Sequence, residues 1–306
     1  MTETLPRETG RPSAPRPRKR RLGDRRDGRR LRSLDPLNRV SPYIMGTRAG
    51  ATNYFQAEVD IRTAEAYIRK KRVEGLKGFG LLHFWIAAYV RVVSQRPGVN
   101  RFIAGQKLFA RHNIEINFIV KKEMTLEGQE TSVKIVCQPT DTSADIFRRV
   151  TAAIHEGRQA GDSNGVDDTA RILGKIPGFL LKFVVWLLKK LDYIGKVPKS
   201  LIAVSPFHGS IFITDLGSIN LPPVHHHLYD FGNIPLFLSI GPKQKATVLD
   251  KQGQPYEHRF LTFSLSLDER ITDGFYFSGV FRQIRDLFAH PEQLDLPPEK
   301  VVEDVD

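Results

Sequence analysis

Apolar and polar residues alternate through Asn53–Ile61 (NYFQAEVDI), as in a strand with one buried face. The period then lengthens. AEAYIRKKRVEG, with Asp60 placed to cap it and Gly75 to end it, predicts a helix. Phe79–Ser94 (FGLLHFWIAAYVRVVS) is apolar on almost every side and predicts a buried helix that stops before Arg96-Pro97. A hairpin turning at Gly105-Gln106 fits Phe102–Ala110, and the β-branched runs Asn113–Val120 and Ser132–Gln138 predict strands. A helix is expected from Thr142 to Glu156, with Asp141 or Thr142 as its cap. Strands follow at Ser210–Thr214, Pro235–Gly241, Ala246–Leu249 and Arg259–Leu267, then an amphipathic helix from Thr272 to Phe288. This order is mixed α+β, with no repeat of solenoid period. No internal linker interrupts it, so residues 35–295 read as one domain.

One segment breaks the pattern. Ile176–Ile194 (IPGFLLKFVVWLLKKLDYI) is intensely apolar, yet Lys182, Lys189 and Lys190 interrupt it short of the ~20 uninterrupted apolar residues that span a bilayer. On a helix, Lys175, Lys182 and Lys189, seven apart, mark one basic stripe on an apolar cylinder. Three roles fit: a helix buried against its own domain or a neighbouring subunit, a helix lying in a membrane interface, or a wall for a greasy substrate.

The 306-residue chain carries 46 Lys and Arg against 34 Asp and Glu, a net charge of +12. Residues 1–40 hold 13 basic and 5 acidic residues, +8 of that total, so the remainder is nearly neutral. Residues 1–34, rich in arginine and poor in groups to bury, predict a disordered basic tail. Such a tail is either simply solvated or available to an acidic partner, an anionic lipid or nucleic acid. Residues 296–306 form an acidic C-terminal tail. The single cysteine, Cys137, excludes a disulfide framework and a cysteine-only zinc site, and inside a predicted strand it reads as a small core residue. No apolar stretch of export-signal type follows the arginines, so a cytoplasmic location is expected, peripheral to the membrane if 176–194 touches lipid.

No P-loop, G-x-S-x-G, H-E-x-x-H or G-x-G-x-x-G occurs. Two constellations remain. His225-His226-His227 lies in a Pro-rich loop (LPPVHHHLYDFGN) between two strands. It fits an exposed or interface loop, or a general acid/base in which Asp230 holds His226 or His227. No cysteine or carboxylate set at ligand spacing supports a metal there. The second constellation is Leu261–Phe281 (LTFSLSLDERITDGFYFSGVF), where a strand meets the turn Asp268-Glu269-Arg270 and Asp273-Gly274 opens a helix. Two acids and an arginine at such a junction fit a catalytic corner, and fit caps and local ion pairs equally well.

At these residues the sequence resembles the family of chloramphenicol acetyltransferase and the catalytic domain of the dihydrolipoyl acyltransferases of 2-oxoacid dehydrogenases, in a stand-alone form lacking a lipoyl domain. That family carries a strand, then D-H-R-x-x-D-G or H-H-x-x-x-D-G, then a helix; Asp268, Arg270, Asp273 and Gly274 match. Ile213-Thr214-Asp215-Leu216-Gly217 is similar to the family's strand ending in [ST]-N-L-G, whose hydroxyl, here Thr214, helps stabilise the tetrahedral oxyanion. Val59-Asp60-Ile61, the buried helix and Arg96-Pro97-Gly98-Val99-Asn100 agree in type and order. The resemblance covers roughly 35–120 and 205–290 and leaves 176–194 as an apolar helical insertion. It implies a two-layer α/β sandwich that forms a homotrimer, with active sites in channels between subunits. Coenzyme A or acyl-CoA would be the substrate, with no metal. In the family a histidine takes a proton from the thiol or hydroxyl that attacks the acyl carbonyl. The D-G aspartate is structural and pairs an arginine near the domain start, for which Arg39 is the candidate.

Glu269 stands where the family has its catalytic histidine. With a thiol near pKa ~8.5 and a glutamate near ~4.3, Glu269 is a poor base unless burial raises it. His226 or His227 is the alternative base, and His226-x-x-x-Asp230 repeats the missing spacing with Phe231 in place of glycine. The third outcome is a non-catalytic trimeric homologue acting as a scaffold or interaction protein. No D-K-A lipoylation site or covalent lipoyl group is expected, so an active chain would use free acyl-CoA or a lipoyl domain supplied in trans.

Overall fold

The computed structural model describes residues 19–121, 130–159 and 174–306. Strand β1 (Gly28–Arg30) and helix α1 (Pro36–Ile44) precede β2 (Thr52–Asp60), α2 (Arg62–Val73) and α3 (Leu81–Gln95). Strands β3 (Arg101–Ala104), β4 (Lys107–Arg111), β5 (Ile114–Lys121) and β6 (Glu130–Cys137) lead to α4 (Ser143–Gln159). After α5 (Gly178–Tyr193) and α6 (Lys199–Val204) come β7 (Ile211–Asp215), β8 (Leu236–Leu249), β9 (Pro255–Asp268) and α7 (Gly274–Ala289). Six strands form a mixed sheet in the order β2-β9-β8-β7-β5-β6, with β7 parallel to both neighbours. A smaller sheet holds β1, β4 and β3. This is the expected α+β arrangement, a mixed sheet with flanking helices.

Alternation along β9 sets the two faces of the large sheet. Leu261, Phe263, Leu265 and Leu267 join Leu236, Leu238 and Ile240 of β8 in the main core, so Thr262, Ser264, Ser266 and Asp268 fall on the opposite face. Helices α3 and α7 cover the apolar face. Phe84 and Trp85 pack against Phe288 with ring centroids 4.7 and 4.8 Å apart, and Trp85 meets Phe263 at 4.9 Å. Each such pair adds ~0.5–1.5 kcal/mol beyond its area burial. The small hairpin turns at Gly105-Gln106, both with positive φ (54° and 55°), the backbone a two-residue turn needs to match strand twist. The two strands expected at Pro235–Gly241 and Ala246–Leu249 are one. β8 runs through Gly241-Pro242 by a register shift between Ile240 and Lys243, where two residues oppose one on β9.

The disorder expected over 1–34 does not hold for the described part of that segment. Residues 1–18 lie outside the described residues, while 19–34 are folded. Three of their arginines, Arg21, Arg25 and Arg29, reach carboxylates that lie far away in sequence. Arg25 is buried between Asp27 and Asp192, Arg21 and Arg29 both reach Asp306, and Arg101 pairs with Asp304. Asp306, at the end of the acidic 296–306 segment, therefore supplies counter-charge to the basic arm. Cys137 is buried in β6, and burial pushes its thiol up to about 12, as suits a core residue. Of the expected burial of α5 against its own domain or a neighbouring subunit, the single chain supplies only part. Phe179, Phe183 and Trp186 are 74%, 57% and 53% exposed.

Candidate active site

At the end of β9 the motif residues are consumed by the fold. Asp268 is fully buried and accepts two hydrogen bonds of 2.7 Å from the Arg270 guanidinium, whose third arm donates to the Met45 carbonyl at 2.7 Å. Arg48 lies 3.7 Å from the same carboxylate. Asp273 caps α7, accepting the Tyr276 N–H at 2.7 Å, and Gly274 is the first helical residue. The proposed partner of Asp273 is not Arg39. Arg39 is exposed and donates to the Arg32 carbonyl at 2.6 Å, so the cap replaces the ion pair. Glu269 is exposed, with its Oε2 accepting from Asn53 Nδ2 at 2.8 Å.

The histidine loop is built differently. Its backbone is stitched to the polar face of the sheet at Val224, whose N–H donates to Ser239 Oγ at 3.1 Å and whose carbonyl accepts from Ser264 Oγ. His226 then lies flat on Phe237, ring centroids 3.9 Å apart and 2° from parallel, and Phe237 stacks on Phe212 at 5.0 Å. His226 Nδ1 is 2.7 Å from the His227 carbonyl. A carbonyl only accepts, so Nδ1 carries the hydrogen and the neutral ring keeps its lone pair on Nε2. Burial of the half-buried ring pushes its pKa below the ordinary imidazole value and favours that neutral form. His227 is exposed beside Tyr229, and His225 meets the edge of Tyr54 at 5.7 Å. Asp230 holds none of these rings. Its carboxylate accepts the N–H groups of Arg48 and Ala49 at 2.8 and 3.1 Å and so fixes the turn that enters β2.

Thr214 shares this face. It pairs with Ser239 of β8, which pairs with Ser264 of β9. It sits two residues, roughly 7 Å, beyond Phe212 on the same side of β7. Glu269 is five residues past Ser264, roughly 17 Å further along the strand direction, so within one chain it does not join Thr214. Asp215, where the resembled motif has asparagine, caps the turn Leu216–Ile219 through the Ser218 N–H at 3.2 Å, and burial raises its pKa. One residue escaped the sequence reading. Ser266 lies in register between Phe237 and Tyr54, beneath the histidine loop, and its buried hydroxyl has no partner among the described residues. The alternation F-S-L-S-L-D was the signal, because it lines one sheet face with small hydroxyls.

No family model matches the chain, and no curated protein matches its sequence. Solved structures do match its fold. A probable dihydrolipoamide acetyltransferase from Listeria monocytogenes aligns with TM-score 0.55 at 14% identity, covering 86% of this chain and 95% of that one. Dihydrolipoamide acetyltransferase from Azotobacter vinelandii gives 0.56 at 15% identity, covering 90% and 94%. A truncated catalytic core of the 2-oxoacid dehydrogenase complex from Thermoplasma acidophilum gives 0.50 at 14% identity, covering 86% and 99%. The chain thus has the fold of the dihydrolipoamide acetyltransferase catalytic cores.

Proposed function

We propose that the chain is an acyltransferase that moves an acyl group from coenzyme A to a thiol or hydroxyl acceptor, with His226 as the base. The observation that carries this reading is the Nδ1–H to carbonyl bond of His226, which fixes the ring and leaves Nε2 basic on the face that also bears Thr214. His226 Nε2 takes the acceptor's proton as the acceptor sulfur or oxygen bonds to the acyl carbon. The carbonyl electrons move to oxygen, where the Thr214 hydroxyl donates to the developing charge. When the carbonyl re-forms, the bond to the coenzyme A sulfur breaks and that thiolate takes the proton back from the imidazolium. The work on the Azotobacter enzyme concerns one serine, one histidine and one asparagine in its catalytic mechanism, and Thr214 and His226 would supply the hydroxyl and imidazole here. Glu269 would enter such a site only from a neighbouring copy, as the homotrimer implied by the resemblance would allow.

The test uses the purified chain with acetyl-CoA and a dithiol acceptor, following release of the coenzyme A thiol, beside calorimetric titration with coenzyme A. Saturable binding and transfer support the reading. Absence of both supports the non-catalytic scaffold instead, a reading favoured by the exposed, Asn53-bonded Glu269 at the position of the family's histidine.

A further inference from the structure

Helix α5 has two apolar sides. Leu181, Val184, Leu188 and Leu191, spaced three or four apart, are half-buried. Phe179, Phe183, Trp186 and Leu187 form a second stripe that is exposed, with the Phe183 and Trp186 rings stacked at 5.8 Å. The charges on the helix are segregated. Its one carboxylate, Asp192, is turned inward and held by Arg25 at 2.7 Å; against the upward push of burial, His208 and Arg25 depress its pKa to about 2. Lys182, Lys189 and Lys190 are exposed, so the outward face carries only positive charge, and the Lys190 ammonium lies 5.9 Å from the Trp186 ring. The helix is fastened at its C-terminal end, where Tyr193 also donates to Gln106 at 2.9 Å, and the basic arm is tied to the same end through Arg25.

We propose that α5 docks on an anionic lipid surface, laying Phe179, Phe183 and Trp186 into the headgroup region with its lysines on the phosphates. Apolar rings beside lysines whose stems can snorkel are the two features that such a surface rewards together. Two copies packed stripe to stripe would instead set lysine against lysine. No helix among the described residues is long and apolar enough to cross a membrane.

The full chain is mixed with vesicles of phosphatidylcholine alone, or of phosphatidylcholine with phosphatidylglycerol, and bound protein is measured by sedimentation alongside tryptophan fluorescence. Trp85 is 2% exposed and Trp186 53%, so a blue shift reports α5. The expected result is binding with a blue shift on anionic vesicles, weakened by salt and absent on neutral ones. Lys182→Glu with Lys189→Glu should lower binding about tenfold or more. Phe179→Ser with Phe183→Ser should abolish it while circular dichroism shows the fold intact. No binding to anionic vesicles, equal binding to neutral ones, or full binding by either variant overturns the proposal. So does a change in oligomeric mass of the phenylalanine variant without lipid, which would assign the stripe to a second copy.

Discussion

The corner at Asp268–Gly274 and the loop at His225–His227 flank the same polar sheet face and draw on similar residue types, but they spend them in opposite ways. In the corner, Asp268 is neutralised by Arg270 and approached by Arg48, Asp273 is a helix cap and Glu269 accepts from Asn53. In the loop, the backbone bonds at Val224 and His227 do the fixing and leave the Nε2 of His226 uncommitted. Motif residues can therefore serve the fold, and the group to look for is one held firmly by its neighbours with a lone pair still to offer.

The largest expected effect separates the two regions by stability. Arg270→Ala strands a fully buried carboxylate and should cost about 3–5 kcal/mol in urea unfolding. A loss under about 1 kcal/mol would show that the corner does not hold the fold. Next, His226→Ala should cut acyl transfer about a hundredfold or more while leaving the unfolding midpoint almost unchanged, because the ring packs on Phe237 at a half-buried site. Equal losses of rate and stability would make His226 a structural residue. A third effect sharpens the contrast. Ser239→Ala removes the acceptor of the Val224 N–H and should cost about 1 kcal/mol and slow transfer several-fold by loosening the loop. The smallest is Glu269→Gln, which keeps an acceptor for Asn53 and should change stability by less than about 0.5 kcal/mol, with a transfer rate within a factor of about two.

Much of the fold was legible because its elements have clean periods. The alternation from Asn53 places β2, the all-round apolar Phe79–Ser94 places α3, and Gly105-Gln106 places the hairpin. What local sequence hid was long-range pairing. Arginines at 21, 25 and 29 look free until Asp306 and Asp192 arrive from distant parts of the chain. In the same way, β8 looks like two strands until β9 supplies the partner that accommodates the shift at Gly241-Pro242. At the site, the resemblance pointed to Thr214 and the D-G corner. The spacing of His226 and Asp230 suggested a couple that does not exist, because Asp230 is committed to the Arg48 and Ala49 N–H groups. No sequence pattern could show that a backbone carbonyl, not a carboxylate, orients His226.

If the working base lies in the loop and not in the corner, the pH dependence of kcat/KM for acyl transfer will follow His226. A base must be deprotonated to act, and burial holds His226 below the usual imidazole value of ~6.5. Activity should therefore be full above that pH and fall only as pH drops through a lower midpoint. Glu269→Gln should leave this acidic limb in place, and His226→Ala should remove it along with most of the rate. A limb that moves or disappears in Glu269→Gln and survives in His226→Ala would contradict a base in the loop.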